Sequence, residues 1–449
     1  MASPVNPPRG MRDFLPAEKA RREHVLSVIR SVFSTHGFDE IETPVMEDSA
    51  RLHAGLGGDN EKLAFGVLKR GLTTEDFAAA KDALDLADLG LRFDLTVPLA
   101  RFYATHRAEL PTVFRAIQIA PVWRAERPQK GRYRQFVQCD IDIIGEAGPL
   151  AEIELLTATA ATMTALGLAD WTIRVNDRRL LIGMLDTFGF AAADHDSVLV
   201  TIDKLDKVGQ DGVVAELRAK GVDAAAVDAL DAFFRRPQTL EYLSFGERAI
   251  AKALPPDADP AVIAQLAAIG HAVNAGLGIT PADDTTAADG TIAVDGGVAS
   301  SVVEFDPFLV RGMGYYTGTI FEIAHPSSSS SLGGGGRYDG MIGRFLGSDV
   351  PAAGFSIGFE RIVDLVELPA DIGVGGVALL YDSDVSATTL MHLKSELIAS
   401  GRRVRLERAP RNIKPLLERL VASGFTEIAT VPNGAVTVAE LKLRKLGAE

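Results

Sequence analysis

Seven arginines in two parts of the sequence could bind phosphate groups. They are Arg124, Arg127, Arg132, Arg134, Arg311, Arg337 and Arg361. A guanidinium is planar, permanently charged and offers paired donors, which match the paired oxygens of a phosphate or a carboxylate. The clusters therefore suggest a phosphorylated substrate, whereas each arginine taken singly would more commonly form a surface ion pair.

Two polar pairs could hold an ammonium group and a polar ring by directional hydrogen bonds. Asp94 and Thr96 alternate with apolar residues, and so do Gln138 and Asp142. In a strand, each pair would lie on one outward face. The alternative is that both pairs belong to ordinary solvated strand faces.

The same alternation predicts the strands that would position these pairs. Residues 91–97 predict a half-buried strand followed by a helix that begins near Pro98, and residues 132–145 predict a second strand. The predicted core face of the second strand carries Val137, Cys139, Ile141 and Ile143. Its opposite face carries Arg134, Phe136, Gln138, Asp140 and Asp142.

Other segments give coarser predictions. A helix is expected over residues 17–36, a strand over 38–47, helical structure over 60–88 and strand structure within 308–324. The sequence GGGGRYDG at 333–340 is interpreted either as a turn or as a loop that lets a ligand approach the backbone. From about residue 374, alternating strands and helices indicate a separate α/β domain.

Composition narrows the class of protein. A length of 449 residues suggests about three domains. The sequence has no run of 18 apolar residues and no secretory leader, so we expect a cytoplasmic protein. Cys139 is the only cysteine, and the eight histidines are scattered, so neither a disulfide nor a protein-built metal site is expected. The net charge of −14 argues against nucleic-acid binding through the whole surface, but residues 382–449 carry a net +3.

Five segments, taken together and in order, resemble the histidyl-tRNA synthetases, a family of class II aminoacyl-tRNA synthetases. They are LRFDLTVPLARF at 91–102, RAERPQKGRYRQFVQCDIDIIG at 124–145, FLVRGMGYYTGTIFE at 308–322, GGGGRYDG and AGFSIGFERI at 353–362. RGMGYYTG and GGRYDG resemble the two histidine-specific signatures of the family. The resemblance extends over nearly the whole chain.

The resemblance implies an α+β class II synthetase core with an antiparallel sheet, a helical insertion and a C-terminal α/β anticodon-binding domain. The catalytic core would comprise residues 1–180 and 300–370, the helical insertion 181–299 and the anticodon-binding domain 374–449. The implied reaction activates L-histidine with ATP, in the presence of Mg²⁺, and transfers it to histidine tRNA. The family also implies a homodimer, with Pro44 of motif 1 at its interface, and no membrane partner.

The resemblance also assigns a nucleotide site. Arg124 matches the motif 2 arginine that grips the α-phosphate, and Glu126 matches the acid that recognises the adenine amino group. Phe136 and Arg361 would stack on opposite faces of the adenine. Arg132 would reach the terminal phosphates.

For histidine, the family implies a second set of residues. Asp94, Thr96 and Gln138 would surround the α-amino group, while Asp142 and Tyr316 would lie near the imidazole nitrogens. Tyr315 belongs to the same histidine-binding set. Arg311 would contact both the α-phosphate and the histidine carboxylate, so Arg124 and Arg311 are the expected catalytic residues. Because activation needs positioning and charge neutralisation, no protein nucleophile is required.

Contacts with tRNA are expected in two places. Arg127 and Gln129 lie in a loop that resembles the bacterial loop meeting the extra 5′ guanosine of histidine tRNA; a mobile charged loop is the alternative. In the C-terminal domain, the candidates for anticodon contacts are Arg402, Arg403, Arg405 and Arg411.

The sequence departs from the family's pattern at two positions, and two rival functions have to be considered. Gly314 and Asp94 stand where many bacterial relatives carry an acid and Glu, respectively, and both resemble the eukaryote-like branch. A first rival is the histidine-sensing regulatory subunit of ATP phosphoribosyltransferase, which normally lacks the anticodon domain and the ATP arginines. A second is a stand-alone sensor on the same fold, of the kind associated with kinases, but the sequence carries no kinase motif.

Overall fold

The computed structural model describes most of the chain. The described residues are 5–53, 63–128, 131–236, 245–278, 302–311, 315–328, 330–367 and 375–446. They fall into two compact units, one formed by residues 1–11 and 28–365 and the other by residues 12–27 and 366–449.

The described residues form fifteen α-helices and fifteen strands, and six of the α-helices, between β7 and β8, follow one another without a strand. The helices are α1 (Pro16–Thr35), α2 (Ser49–Leu52), α3 (Thr74–Ala79), α4 (Thr96–His106), α5 (Leu150–Ala165), α6 (Arg178–Phe188), α7 (His195–Ile202), α8 (Leu205–Ala219), α9 (Ala224–Phe234), α10 (Glu247–Ala253), α11 (Pro260–Gly276), α12 (Asp339–Leu346), α13 (Phe359–Leu365), α14 (Ala387–Ala399) and α15 (Lys414–Ala422). The strands are β1 (Asp39–Glu40), β2 (Met46–Asp48), β3 (Phe65–Leu68), β4 (Ala87–Leu91), β5 (Phe114–Trp123), β6 (Gln135–Ile144), β7 (Thr172–Asp177), β8 (Val303–Phe305), β9 (Thr319–Ala324), β10 (Gly333–Arg337), β11 (Ala352–Gly358), β12 (Gly376–Tyr381), β13 (Arg403–Arg408), β14 (Phe425–Thr430) and β15 (Arg444–Lys445).

An eight-stranded sheet forms the floor of the first unit. Its strand order is β1-β5-β6-β11-β10-β9-β7-β8. All neighbouring pairs from β5 to β7 are antiparallel, and the two outer pairs, β1–β5 and β7–β8, are parallel. The predicted α+β class with an antiparallel sheet is thereby confirmed.

The predicted strand over 132–145 is confirmed as β6. Three of the four residues predicted on its core face, Cys139, Ile141 and Ile143, have no exposed surface, whereas Val137 is only half-buried. The polar face is buried as well: Asp140 and Asp142 are each 4% exposed. The alternative of a solvated face is therefore wrong for β6, and burying carboxylates requires compensating partners or protonation.

The predicted strand over 91–97 is wrong. Strand β4 ends at Leu91 and helix α4 begins at Thr96. Between them, Asp94 accepts a hydrogen bond at 3.1 Å from the amide of Val97 and so satisfies a free donor in the first turn of the helix. Arg92, Phe93, Asp94 and Leu95 are all buried, so the alternation in this segment does not reflect one buried and one exposed strand face.

Two other sequence predictions are also corrected. The segment 38–47 forms two separate short strands, β1 and β2. Helical structure was expected over 60–88, but the described residues there form β3, the short helix α3 and the start of β4, and the two strands belong to a three-stranded sheet of order β2-β4-β3. Here cross-strand pairing prevails over the helical preference of an alanine-rich sequence.

The sequence GGGGRYDG is neither a turn nor a loop at its start. Its first five residues are strand β10, paired on one side with β9 and on the other with β11. A Cβ atom on Gly335 would lie 1.9 Å from the carbonyl oxygen of Gly354. Only glycine allows the strands to pack this closely, and the sheet floor is consequently bare of side chains at this point.

Helices α6 to α11 follow β7 in the chain, within the segment predicted to be helical. The apolar side chains of α6 to α9, including Leu181, Val198 and Leu230, join a buried core that also contains Phe93 and Leu99 from the region of α4. In the described part of the chain, no helix is both long and apolar enough to cross a membrane.

The second unit contains a four-stranded sheet of order β13-β12-β14-β15. Strands β12, β13 and β14 are parallel, and β15 is antiparallel to β14. Helix α14 packs on one face through Leu393 and Leu397, and α15 packs on the other through Leu416 and Leu420. The predicted alternation of strands and helices from 377 to 432 is confirmed.

Candidate active site

A cavity of about 300 Å³ lies over the central strands of the first unit. Every residue that the sequence assigned to nucleotide or histidine binding lines it. These residues are Asp94, Thr96, Arg124, Glu126, Arg132, Phe136, Gln138, Asp142, Arg311, Tyr315, Tyr316 and Arg361. Side chains separated by up to 267 positions in the chain (from Asp94 to Arg361) therefore share one cavity.

Other arginines of the original clusters lie elsewhere. The side chain of Arg337 turns away and forms a buried ion pair with Glu152, at 2.7 Å. Arg134 donates from Nε to the carbonyl oxygen of Glu126 at 2.9 Å, and Arg127 is exposed outside the cavity lining. Gln129 lies outside the described residues.

One end of the cavity is rich in guanidinium groups. Arg124 donates from Nε to the carbonyl oxygen of Phe93 at 2.9 Å, and its Cζ lies 5.1 Å from the centroid of the Phe136 ring. Arg132 pairs with Glu126 at 3.3 Å. Arg361 donates to the carbonyl oxygen of Ser331. Such an arrangement favours a polyanion bound beside a flat aromatic group.

The electrostatics of Arg361 show how crowded these cations are. Burial lowers the pKa of its guanidinium, and the neighbouring charges of Arg132, Arg311 and Arg124 lower it further. An anion that enters the cavity would relieve this repulsion. The arginine end is therefore electrostatically prepared for phosphate.

Arg311 crosses the glycine strand to reach the cavity. Its Nη1 donates to Glu322 Oε2 at 2.8 Å. A Cβ atom on Gly334 would lie 2.7 Å from Arg311 Cζ, so the guanidinium rests directly on the β10 backbone. The absence of a side chain at Gly334 thus gives Arg311 its place.

A second part of the cavity lining, the acidic end, is rich in carboxyl groups. Burial raises the pKa of Asp94 to about 6, although the amide of Val97 and the charge of Arg124 oppose that shift. Burial likewise raises the pKa of Asp142 to about 7 against the opposing hydrogen bond from Tyr338. The pKa of Asp140 is raised well above its usual range, first by burial and then by the negative charge of Asp142. These carboxyls would ionise more readily beside a bound cation.

Three tyrosines, which we call the tyrosine wall, line the cavity near Asp142: Tyr315, Tyr316 and Tyr338. Tyr338 donates its hydroxyl to Asp142 Oδ1 at 2.6 Å. The rings of Tyr315 and Tyr316 have centroids 4.9 Å apart, and Tyr315 meets Tyr338 edge-on at 6.2 Å. The acidic end therefore combines a carboxylate with flat apolar surfaces, which suits a small polar ring.

Three buried polar atoms in the lining have no hydrogen-bond partner among the described residues. They are Asp94 Oδ2, Gln138 Oε1 and Arg311 Nε. Leaving such atoms unpaired costs free energy, so they indicate where a ligand supplies the missing partners. Two of the atoms accept hydrogen bonds and one donates, which complements a ligand that carries both an ammonium group and an anionic group.

Several residues at the site carried no functional assignment from the sequence. Tyr338 lay in a quoted motif but had no role, and Asp140 was placed only on a strand face. Ser356 accepts from Gln138 Nε2 at 3.1 Å, and Glu322 holds Arg311. Gln138 and Ser356 are 218 positions apart, and Arg311 and Glu322 are 11 positions apart. Neither contact follows from the periodicity of a single helix or strand.

The donor set gives a limited basis for metal binding. In the described part of the chain, no three histidine, cysteine, aspartate or glutamate side chains form a metal-binding group. The cavity lining does contain two glutamates at its phosphate-suited end, Glu126 and Glu360. Mg²⁺ commonly binds through one or two carboxylates together with substrate phosphates, so this lining fits an ion that enters with a nucleotide.

The candidate nucleic-acid residues of the second unit lie on and near an edge strand. The Cζ atoms of Arg403 and Arg405, both on β13, lie 4.4 and 4.6 Å from the ring centroid of Phe425. Arg402 forms an ion pair with Glu427, and Arg411 is exposed.

Comparison with known proteins gives a consistent result. A model of the family described as histidyl-tRNA synthetase matches residues 10–362. A histidine–tRNA ligase of Leifsonia xyli subsp. xyli (strain CTCB07) is 61% identical over 443 residues, which cover 98% of this chain and 98% of that protein.

Two solved structures share the fold. The crystal structure of a histidyl-tRNA synthetase from Nostoc sp. PCC 7120 superposes with a TM-score of 0.73 at 23% identity, over 99% of this chain and 95% of the other. An ATP phosphoribosyltransferase regulatory subunit/histidyl-tRNA synthetase from Bacillus halodurans C gives 0.72 at 19% identity, over 97% of this chain and 100% of that one. These two likenesses concern the fold alone.

Proposed function

The chain belongs to the histidyl-tRNA synthetase family, and on that premise we propose how its cavity joins histidine to ATP. The activity is that of a histidine–tRNA ligase, with histidine, ATP and tRNA as substrates. We also propose the roles of individual residues, the metal, the functions of the domains and the assembly of the chain.

The observation that carries the proposal is the set of three unpaired polar atoms. Asp94 Oδ2 and Gln138 Oε1 would accept hydrogen bonds from the α-ammonium of histidine, with Thr96 beside them. Arg311 Nε would donate to the histidine carboxylate. This orientation directs the imidazole toward Asp142 and Tyr316, at the acidic end of the cavity.

The selectivity for histidine would come from the closed acidic end. Asp142, held by the Tyr338 hydroxyl, would accept a hydrogen bond from one imidazole N–H, and Tyr316 would meet the other nitrogen. Tyr315 would pack against the ring. An amino acid that cannot pair with these buried groups leaves them unsatisfied, which supports discrimination on the order of 10⁴-fold or more without editing.

The nucleotide would occupy the arginine end. Phe136 and Arg361 would enclose the adenine, and Glu126 would accept a hydrogen bond from its amino group. Arg124 would bind the α-phosphate and Arg132 the terminal phosphates. Mg²⁺ bound with ATP would supply charge neutralisation at the phosphates, and Glu360, a carboxylate of the cavity lining, would hold it.

Activation would then be a direct displacement at phosphorus. A carboxylate oxygen of histidine attacks the α-phosphorus, the bond from that phosphorus to the bridging oxygen breaks, and pyrophosphate leaves with the electron pair. Arg124 and Arg311 would neutralise the charge that develops on the α-phosphate. Because the carboxylate is already the nucleophile, the protein supplies position and charge.

Transfer to tRNA requires contacts beyond the cavity. We propose that residues 1–180 and 300–370 form the catalytic core and that the helical insertion, 181–299, meets the acceptor stem. Residues 374–449 would bind the anticodon through Arg402, Arg403, Arg405 and Arg411. Arg403 and Arg405 support this role, because their guanidiniums, packed against the buried Phe425 ring, place two cations on β13 that suit the phosphates of RNA. Arg127 and Gln129 are proposed contacts for the 5′ end of the tRNA.

A homodimer is proposed from exposed apolar surface near motif 1. In the three-stranded sheet β2-β4-β3 and the residue preceding it, the exposed fractions are 41% for Val45, 45% for Met46, 58% for Leu68 and 38% for Leu89. This surface begins at Pro44, as expected for the dimer contact. Large apolar side chains grouped in this way favour a second copy of the chain. We place the enzyme in the cytoplasm, where its tRNA substrate is used.

The decisive test is pyrophosphate exchange. The purified chain should exchange labelled pyrophosphate into ATP only when histidine is present, and histidinylation of tRNA should follow. A chain that binds histidine without catalysing this exchange would instead match the regulatory rival. The identity of 61% with a histidine–tRNA ligase over 98% of both chains favours the enzyme.

A further inference from the structure

A single row of residues crosses the central sheet beneath Arg311. In register, Ser356 of β11 lies opposite Gly334 of β10, Gly334 lies opposite Glu322 of β9, and Glu322 lies opposite Arg174 of β7. Because residues opposite each other share one face of a sheet, these side chains point toward the cavity side. Gly334 leaves a gap in the row, and Arg311 fills it.

Glu322 is divided between two guanidiniums. Its Oε2 accepts from Arg311 Nη1 at 2.8 Å, and its Oε1 accepts from Arg174 Nη2 at 2.8 Å. The side chain of Glu322 is 15% exposed, so these ion pairs are largely shielded from water. Both oxygens are engaged, and Glu322 is consequently fixed from two sides.

Arg174 is itself anchored at two further points. Its Nη1 donates at 3.1 Å to Asp306 Oδ2, and both of its terminal nitrogens lie 3.1 Å from Asp206 Oδ2. Asp206 lies in the first turn of α8, within the helical region. A continuous series of ion pairs therefore runs from α8 through Arg174 and Glu322 to Arg311.

We propose that Glu322 and Arg174 are positioning residues for the activation step, holding the Arg311 guanidinium over Gly334 in the orientation that meets the substrate. This inference rests on the role proposed for Arg311. An arginine side chain has many rotamers, and tying Nη1 to Glu322 removes most of that freedom while leaving Nε directed to the ligand. A misplacement of about 1 Å at such a group can cost on the order of 10²-fold in rate.

The test compares Glu322→Gln, Arg311→Ala and the double variant in histidine-dependent pyrophosphate exchange. We expect Glu322→Gln to lower kcat by about 10- to 100-fold with little change in the KM for ATP. The double variant should be no slower than Arg311→Ala, because Glu322 acts through Arg311. If Glu322 had only a structural role, the fold reductions in kcat caused by the two single substitutions would multiply in the double variant.

A matched control is an ion pair that joins β5 of the same sheet to helix α5. Arg115 and Glu154 form a similar two-point ion pair outside the cavity lining, with Nη2–Oε1 at 2.7 Å and side chains 28% and 25% exposed. Glu154→Gln should keep the kcat of the wild-type chain. Thermal unfolding of every variant shows whether the fold is preserved.

If Glu322→Gln is poorly folded, Arg174→Lys provides a second test of the positioning role. Arg174→Lys retains the positive charge but loses the planar fork that bridges Glu322 and Asp306, and we expect kcat to fall about 5- to 10-fold. Wild-type kcat in either Glu322→Gln or Arg174→Lys would overturn the inference. Wild-type kcat in Arg311→Ala would instead refute the role of Arg311 given under the proposed function.

Discussion

Tyr338 donates its hydroxyl to Asp142 at 2.6 Å, and this hydrogen bond fixes the carboxyl group at the closed end of the cavity. The ring of Tyr338 is buried, at 3% exposure, and Asp142 is 4% exposed. Asp142 lies in β6, and Tyr338 lies between β10 and α12, 196 positions further along the chain. A carboxyl held in this way has one oxygen engaged by the protein and can offer the other to a ligand.

The first prediction concerns the pH dependence of stability. The pKa values of Asp94 and Asp142 are about 6 and about 7 in the folded chain, against an ordinary 3.8. The folded chain therefore holds these protons more tightly than the unfolded chain. The stabilisation is fully present below about pH 3.8 and is lost as the pH rises through 6 and 7.

Thermal unfolding of the ligand-free chain between pH 5 and pH 8 measures this effect. Asp142→Asn should make Tm less dependent on pH across this range, because asparagine does not titrate. Asp228→Asn, on the exposed side of α9, is the control and should leave the slope as it is in the wild-type chain. An unchanged slope for Asp142→Asn would contradict the raised pKa.

The second prediction concerns Arg311. Arg311→Ala should lower the rate of histidyl-adenylate formation by about 10²- to 10³-fold, because it removes a donor from the charge that develops on the α-phosphate. Single-turnover formation of the adenylate measures this rate, and circular dichroism reports the fold. A variant that activates histidine at the wild-type rate would exclude Arg311 from the mechanism.

The third prediction concerns the glycine strand. Gly335→Ala would place a methyl group 1.9 Å from the carbonyl oxygen of Gly354, and the backbones must separate. We expect the free energy of unfolding to fall by about 1–3 kcal/mol or more. Urea titration is the measurement. Gly183→Ala, in α6 with no atom within 4 Å of the new methyl group, is the control and should be neutral or slightly stabilising.

The fourth prediction concerns the buried ion pair between Glu152 and Arg337. The side chains are 0% and 8% exposed, and both bonds measure 2.7 Å. Glu152→Ala leaves a buried guanidinium without its main counter-charge, so we expect a loss of about 3–5 kcal/mol in the free energy of unfolding. Asp211→Ala removes the exposed partner of Arg235 and should cost less than about 1 kcal/mol. Similar losses in the two variants would show that burial does not set the cost.

The fifth prediction separates tRNA binding from activation. Replacing Arg403 and Arg405 together by alanine should raise the KM for tRNA in aminoacylation, because it removes two cations stacked on Phe425. Histidine-dependent pyrophosphate exchange without tRNA should keep its wild-type rate. If charging of tRNA is unaffected, the anticodon role proposed for these arginines fails.

The local pattern of apolar and polar residues was sufficient to predict some helices and strands. The alternation of apolar and polar residues predicted strand β6 and its apolar face, but it did not predict that the polar face is buried as well, because distant segments cover that face. In the second unit, each strand and helix carries its own periodicity. These elements depend mainly on neighbours in the chain, so the sequence contains their signal.

Other elements depend on partners that are distant in the chain. Four consecutive glycines have no preference for a strand, and β10 exists because β9 and β11 pair with it on both sides. The alternation at 91–97 falls on a connection between β4 and α4 in which polar and apolar residues are both buried. Glu322 has no local signal, since its role depends on Arg174 and Arg311 meeting it in space.

The four glycines of β10 also limit how this pocket can be redesigned. Glycine is already the smallest residue, so no substitution in β10 can create additional volume for a larger amino acid. New room must come from the tyrosine wall or from the polar face of β6. Efforts to charge tRNA with unnatural analogues should therefore diversify those positions and leave β10 intact.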